Sequence, residues 1–150
     1  MIDIESLGLF GVFIAGAIPW MEAIAVVPAG ILVGLNPLAT LIAAVVGNTI
    51  TIALFAYFAS NIRERLISRR VSQGKSAELP KLEKALKAFD KYGVYGLAVL
   101  GPILIGTQFA AAAAVTAGVK PLRASALMTA SLTLWAVAIA IAMVAFEITL

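Results

Sequence analysis

The first third of the chain consists of apolar runs that are interrupted by single prolines rather than by polar segments. Residues 4–18 and 20–34 form two apolar arms on either side of Pro19. Each arm is shorter than the roughly 20 helical residues that cross a hydrocarbon core of about 30 Å. Residues 38–60 follow as an apolar run that is long enough. The pattern therefore predicts a broken apolar segment followed by one full membrane span.

The last third of the chain has the same organisation. Residues 92–119 are apolar, but Gly101-Pro102 divides them into short arms, and residues 124–146 form a second uninterrupted run. These runs are continuous, so they predict helices rather than the alternating strands of a membrane barrel.

The middle segment, residues 61–91, differs from both because it is polar and basic. It carries nine of the eleven Lys and Arg residues. A helix is predicted after Pro80, since apolar residues recur there at helical spacing with the lysines elsewhere: Leu79, Leu82, Leu86 and Phe89. Such a helix would lie on an anionic membrane surface or, alternatively, would be a solvated loop helix that only sets the topology.

The composition agrees with a membrane protein and excludes several kinds of chemistry. Hydrophobic residues make up 62% of the chain, whereas a soluble domain averages about 45–50%. The chain has no cysteine and no histidine, so disulfides, thiolate nucleophiles and Cys or His metal sites are excluded. Any proton exchange inside a membrane would fall to a carboxylate. The acidic start, Met1-Ile-Asp-Ile-Glu, is unlike a secretory signal peptide.

Glycine and proline positions predict an internal repeat of the two apolar regions. Three glycines of the first half match three of the second at an offset of 85 residues, and a Gly-x-x-Pro sequence recurs at an offset of 84. The matched positions are Gly8, Gly11 and Gly16 with Gly93, Gly96 and Gly101, and Gly34 and Pro37 with Gly118 and Pro121. Repeats of this kind are a known way to build transporters, although glycine is common enough in membrane helices for chance to be the alternative.

The distribution of basic residues suggests how the repeats are oriented. Lys and Arg concentrate on the cytoplasmic side of membrane proteins. A single crossing by residues 92–119 would place Lys120 and Arg123 opposite the basic segment 61–91, whereas a hairpin that enters and returns keeps all basic residues together. By the same reasoning residues 4–34 form a hairpin that enters from the outside, where Asp3 and Glu5 lie.

The predicted fold is therefore all-α and integral to the membrane, with an inverted repeat in which each half is a re-entrant helical hairpin plus one transmembrane helix. Repeat 1 spans residues 4–60, a cytoplasmic basic linker with an amphipathic helix spans 61–91, and repeat 2 spans 92–147. Both termini would lie outside. The alternative is a plain four-helix transmembrane bundle. Two spans shield two hairpins poorly, so we expect a homodimer in the cell membrane.

Glu22 is the main candidate for function, because it lies in the apolar region 20–34 next to Pro19. Acids within membrane segments are rare and mark ion or proton pathways. Removing a carboxylate from water favours its protonated form, so Glu22 is predicted to bind a proton or cation. The alternative is a structural role, in which the carboxylate caps the helix that starts after Pro19.

Other polar and helix-breaking residues are predicted to join Glu22 in a substrate- or proton-binding site. Thr107 and Gln108 lie near the equivalent place in the second half and would face Glu22, and Asn48 lies within the first full span. For these three the alternative role is hydrogen bonding between helices. The prolines that interrupt helices complete the predicted site: Pro19, Pro28 and Pro102.

No phosphate-binding loop, metal-ligand cluster or catalytic triad occurs in the sequence. We therefore expect no enzymatic activity, no cofactor, no metal and no nucleic-acid partner.

Several of these residues also resemble a known family, the small multidrug export proteins, which is similar to the DedA superfamily of membrane proteins. The resemblance covers most of the chain. It rests on Glu22 with Pro28 six residues later, Gly34, the Gly47-Asn48 pair, Lys91-Tyr-Gly, Pro102 and Gly106-Thr107. Two positions depart from the family pattern: Ile24 stands where a basic residue is frequent, and Gln108 where a further glycine is frequent.

The family's name implies drug export, and its DedA-like relatives imply movement of lipid phosphates or proton-coupled transport. The first hypothesis is a small proton-coupled transporter of small, amphiphilic or cationic compounds. The second is a lipid flippase or scramblase whose basic rim collects anionic lipid, with Lys91, Lys120 and Arg123 in that rim. The third is a membrane scaffold without transport activity, whose basic helix recruits a partner.

Overall fold

A computed structural model describes residues 4–147, which form seven α-helices and no strand. The helices are α1 (Ile4–Ala17), α2 (Ala23–Leu32), α3 (Pro37–Tyr57), α4 (Ala59–Ser72), α5 (Pro80–Leu104), α6 (Thr107–Thr116) and α7 (Pro121–Ala145). Asp3, which the charge argument places outside the membrane, lies outside the described residues.

Two of the seven helices, α3 and α7, are long and apolar enough to cross a membrane. Their 21 and 25 residues correspond to about 31 and 37 Å of helix. This confirms the two long apolar spans of the sequence. The 14 residues of α1 and the 10 residues of α2 give only about 21 and 15 Å, so the first apolar region is broken as expected.

The chain forms two compact units. Unit 1 comprises residues 1–51 and 129–150, and unit 2 comprises residues 52–128. Unit 2 contains all eleven Lys and Arg residues and four acidic residues, a formal charge of +7. Unit 1 contains the other four acidic residues and neither Lys nor Arg, a formal charge of −4. The two compact units thus also differ in charge, since unit 2 is basic and unit 1 is acidic.

Glycines allow the helices of unit 1 to approach closely. A Cβ added at Gly16 would lie 2.5 Å from the carbonyl oxygen of Ala44, and one at Gly47 would overlap the carbonyl oxygen of Phe13. Both contacts join α1 to α3. The missing side chains therefore bring backbone against backbone, as is common between membrane helices.

The core of unit 2 surrounds α6, whose residues Thr107–Ala114 are all buried. This helix packs against α4 and α5, and the rings of Phe55 and Phe109 meet edge to face with centroids 5.5 Å apart. Helix α5 is interrupted at Gly93 (φ 71°, ψ −175°), a conformation that favours glycine. It therefore consists of two helical pieces that meet near the predicted end of the basic segment.

The basic segment contains more helix than the sequence pattern indicates. Helix α4 begins at Ala59, directly after α3, and continues to Ser72. The predicted helix after Pro80 is the first piece of α5, in which Leu82 is buried and Leu86 half-buried while the lysines are exposed. The apolar face of this helix is thus covered partly by protein, which favours the interpretation as a loop helix.

The backbone repeats locally at the predicted spacing. Helices α2 and α6 have ten residues each and end at glycines of positive φ, Gly34 (88°) and Gly118 (104°). Their last turns close by equivalent hydrogen bonds, Leu35 N to Gly30 O at 3.1 Å and Val119 N to Ala114 O at 2.9 Å. These likenesses are local, and the inverted repeat of the two halves and the re-entry of the short helices into a membrane stay predictions.

Candidate functional site

The turn between α1 and α2 positions Glu22. Helix α1 ends at Ala17, and the half-buried Pro19 follows within the turn. Glu22 has an extended backbone (φ −65°, ψ 149°) and directly precedes α2. Its backbone carbonyl accepts hydrogen bonds from the N–H groups of Ala25 and Val26 at 2.9 and 3.0 Å. By its backbone, Glu22 is therefore the N-cap residue of α2.

The carboxylate of Glu22, however, does not act as the cap. It makes no hydrogen bond to the first turn of α2. Instead, its Oε2 atom accepts a hydrogen bond from Nδ2 of Asn48 at 3.4 Å. The side chain is half-buried. This geometry argues against the capping role that the sequence left open, because the carboxylate is directed towards a neighbouring helix instead.

Asn48 is fully buried in α3, and the structure brings it together with Glu22 within unit 1. Asn48 lies one residue from the midpoint of α3. Gly47, beside it, allows the backbone of α1 to approach α3. A buried amide is costly unless it is hydrogen-bonded, and the carboxylate of Glu22 is one acceptor for the amide of Asn48.

Two of the predicted prolines lie inside helices. Pro28 is half-buried within α2, and Pro102 is buried within α5. A proline lacks the N–H that would bond the carbonyl four residues earlier, here Ile24 and Ala98. Helices α2 and α5 thus each lack one backbone hydrogen bond at a proline.

Thr107 and Gln108 are the first two residues of α6 and are fully buried. They follow Gly106, whose φ of 106° favours glycine. Oγ1 of Thr107 donates to Oε1 of Gln108 at 3.4 Å. Both residues belong to unit 2, whereas Glu22 belongs to unit 1. Their approach to Glu22 therefore stays a prediction.

The three residues of the predicted basic rim, Lys91, Lys120 and Arg123, are all exposed in unit 2. Arg123 donates to the hydroxyl of Tyr95 at 3.0 Å and lies 5.7 Å from the centre of its ring. Nζ of Lys91 lies 5.1 Å from the ring centre of Tyr92. Two of the three cations thus lie against tyrosine rings, at distances typical of cation–π contacts.

Sequence reasoning did not single out Thr40, a polar residue of unit 1. It is fully buried, and its hydroxyl has no hydrogen-bond partner within residues 4–147. The hydroxyls of Thr49 and Thr51, on the same helix, both donate to backbone carbonyls. The available signal was spacing, because Thr40 precedes Asn48 by eight residues and so lies on the same face of α3.

No cluster of metal-ligating side chains occurs among the described residues.

Comparison with known proteins gives one match. A family profile described as "Putative small multi-drug export protein" matches residues 22–139, more than half of the chain. The matched region begins at Glu22 and contains the other candidate residues except Pro19. Neither the curated proteins nor the solved structures gave a match.

Proposed function

Because the chain belongs to the family of small multi-drug export proteins, we propose that it is a proton-coupled transporter that exports small amphiphilic or cationic compounds. Family membership and the two long apolar helices make it a membrane protein of an export family. Proton coupling through Glu22 is the further step of the proposal. It rests on one observation, the hydrogen bond between Glu22 and Asn48.

The depth of this pair in the membrane supports proton binding. Asn48 is at the middle of α3, so a membrane-spanning α3 would hold the amide, and Glu22 beside it, near the centre of the bilayer. An ionised carboxylate at that depth costs about 2.5–3.5 kcal/mol on insertion scales. Protonation removes this cost, so the carboxyl group can gain a proton when the site is dry.

Asn48 suits a group that changes its charge. Its amide N–H can donate to a carboxylate or to the carbonyl oxygen of a protonated acid, and its amide oxygen can accept from the acid O–H. The bond therefore positions Glu22 in either state. A cationic substrate and a proton would compete for the same carboxyl group, and this competition would couple export of one to import of the other.

The charge distribution supports a membrane orientation. All basic residues lie in unit 2, and basic loops remain on the cytoplasmic side. We therefore place residues 61–91 in the cytoplasm of a cell-membrane protein in which α3 and α7 cross the bilayer. The chain lacks cysteine, so single cysteines at the exposed positions Asn36 and Lys75 can be labelled selectively. The proposed hairpins require labelling from opposite sides of the membrane, and labelling from one side would contradict them.

Reconstituted protein tests proton coupling. Proteoliposomes contain the pH indicator pyranine and receive a gradient of ethidium, a lipophilic cation. We expect ethidium-dependent proton flux with the native protein and only the leak of empty liposomes with Glu22→Gln. Glu147→Gln is the matched control, because Glu147 is an exposed acid of the same unit, and it should keep the native rate.

Two results would contradict the proposal. Coupled flux at the native rate in Glu22→Gln would remove Glu22 from the mechanism. Translocation of a labelled phospholipid without any proton flux would instead support the lipid flippase.

A further inference from the structure

A crevice of about 250 Å³ in unit 2 lies apart from the Glu22 site. It opens where α3 ends and α7 begins, and its walls include Tyr57, Ser60, Arg63, Thr116 and Pro121. None of its eight lining residues is acidic. The crevice thus combines apolar walls with hydroxyl groups and one guanidinium group.

The position of the crevice relates it to the membrane surface. Tyr57 is the last residue of α3, and Pro121 is the first residue of α7. These are the two helices that are long enough to cross a bilayer, so one end of each span borders the crevice. Tyrosine is enriched where spans meet the headgroups. The crevice would therefore lie at the depth of the lipid phosphates.

The electrostatics of the crevice favour an anion. Arg63 is exposed and can present several N–H donors to a phosphate. The N-terminus of α7, a 25-residue helix, starts at Pro121 and contributes the positive end of its dipole. The surrounding unit has a formal charge of +7. Thr116 and Ser60 only form part of the wall, because their hydroxyls already donate, to the carbonyl of Ala112 at 2.8 Å and to Oδ1 of Asn61 at 3.1 Å.

We propose that this crevice binds the phosphate of an anionic phospholipid headgroup, with Arg63 as the charged ligand and Tyr57 as the hydroxyl partner. The volume agrees with this assignment, since pockets for whole drug-sized ligands begin at about 300 Å³. A headgroup enters the crevice while its acyl chains remain in the bilayer beside α3 and α7. The proposal requires a membrane but not transport through Glu22.

Native mass spectrometry of the purified protein in micelles tests the site, with phosphatidylglycerol as the anionic probe and phosphatidylcholine as the zwitterionic reference. We expect phosphatidylglycerol to be retained preferentially. Arg63→Gln should weaken its binding at least about fivefold, since it removes a charge-assisted contact. Arg69→Gln is the matched control, because Arg69 is an exposed arginine of α4 that does not line the crevice, and it should change binding less than about twofold.

Two further measurements distinguish a lipid site from a site for the free anion and from diffuse attraction to the basic surface. Ser60→Trp fills the crevice without changing the charge and should also displace phosphatidylglycerol. Inorganic phosphate at equal concentration should not displace it, because the lipid is also held by its acyl chains. Equal losses in Arg63→Gln and Arg69→Gln would show diffuse attraction and overturn the proposal. Displacement by inorganic phosphate would show a site for the free anion and overturn it as well.

Discussion

The contact between Glu22 and Asn48 can be tested by a double-mutant cycle. The variants are Glu22→Leu, Asn48→Leu and the double variant. Each single substitution removes one partner of this hydrogen bond, so each should destabilise the fold. The double variant removes both groups and should lose less than the sum of the two single effects.

The expected coupling energy follows from the geometry. The distance of 3.4 Å is longer than that of a typical N–H···O bond, and the carboxylate is only half-buried. Hydrogen bonds between membrane helices contribute about 0.6 kcal/mol on average and about 1.7 kcal/mol at most. We expect a coupling of about 0.6–1.7 kcal/mol, which is a factor of about 3–17 in the unfolding equilibrium.

Reversible unfolding by sodium dodecyl sulfate in mixed micelles, followed by circular dichroism, gives the free energies. A control cycle pairs Asn48→Leu with Glu147→Gln, whose side chain is exposed just after α7, and it should be additive within about 0.3–0.5 kcal/mol. A Glu22–Asn48 coupling within that same margin would refute the contact, and with it the role of Asn48 in positioning the carboxyl group.

Two other pairs of variants test the packing of unit 1 with the same unfolding assay. Gly47→Ala should destabilise the fold by more than about 1 kcal/mol, because its Cβ would overlap the backbone of Phe13. Gly11→Ala has no atom within 4 Å of its added Cβ, so it should be neutral or stabilising by up to about 1 kcal/mol. Equal effects of the two substitutions would contradict the close approach of α1 and α3. Thr40→Val should stabilise by about 1 kcal/mol or more because it removes a buried hydroxyl without a partner, whereas Thr49→Val removes a 2.7 Å hydrogen bond and should not stabilise. A loss of stability in Thr40→Val would show that this hydroxyl has a partner such as a bound water.

The sequence predicts the helices and helix ends that depend on residues close together in the chain. Helices α3 and α7 follow from uninterrupted apolar runs, and the ends of α2 and α6 follow from Gly34 and Gly118. The sequence pattern does not indicate helix α4, because its apolar residues are few and stand among four arginines. Its position depends on packing against α6, which is a tertiary effect.

The candidate site was predictable in its members but not in its contacts. Glu22 and Asn48 are each conspicuous as polar residues in apolar runs, yet 26 residues separate them in the chain. Their contact depends on the close approach of helices that Gly16 and Gly47 allow. Whether the carboxylate of Glu22 caps α2 or bonds to α3 depends on the direction of its side chain, and no local sequence pattern determines that direction.

The discontinuity of unit 1 has a consequence for biosynthesis. Its two segments, residues 1–51 and 129–150, are separated in the chain by the 77 residues of unit 2. A ribosome that adds about 5–20 residues per second needs about 4–15 s to synthesise that interval. During this time the nascent chain contains the first segment of unit 1 without the last, while unit 2 is being completed. Completion of unit 1 would therefore wait for the last part of α7, so the cell makes the whole of the basic unit before the acidic unit is complete.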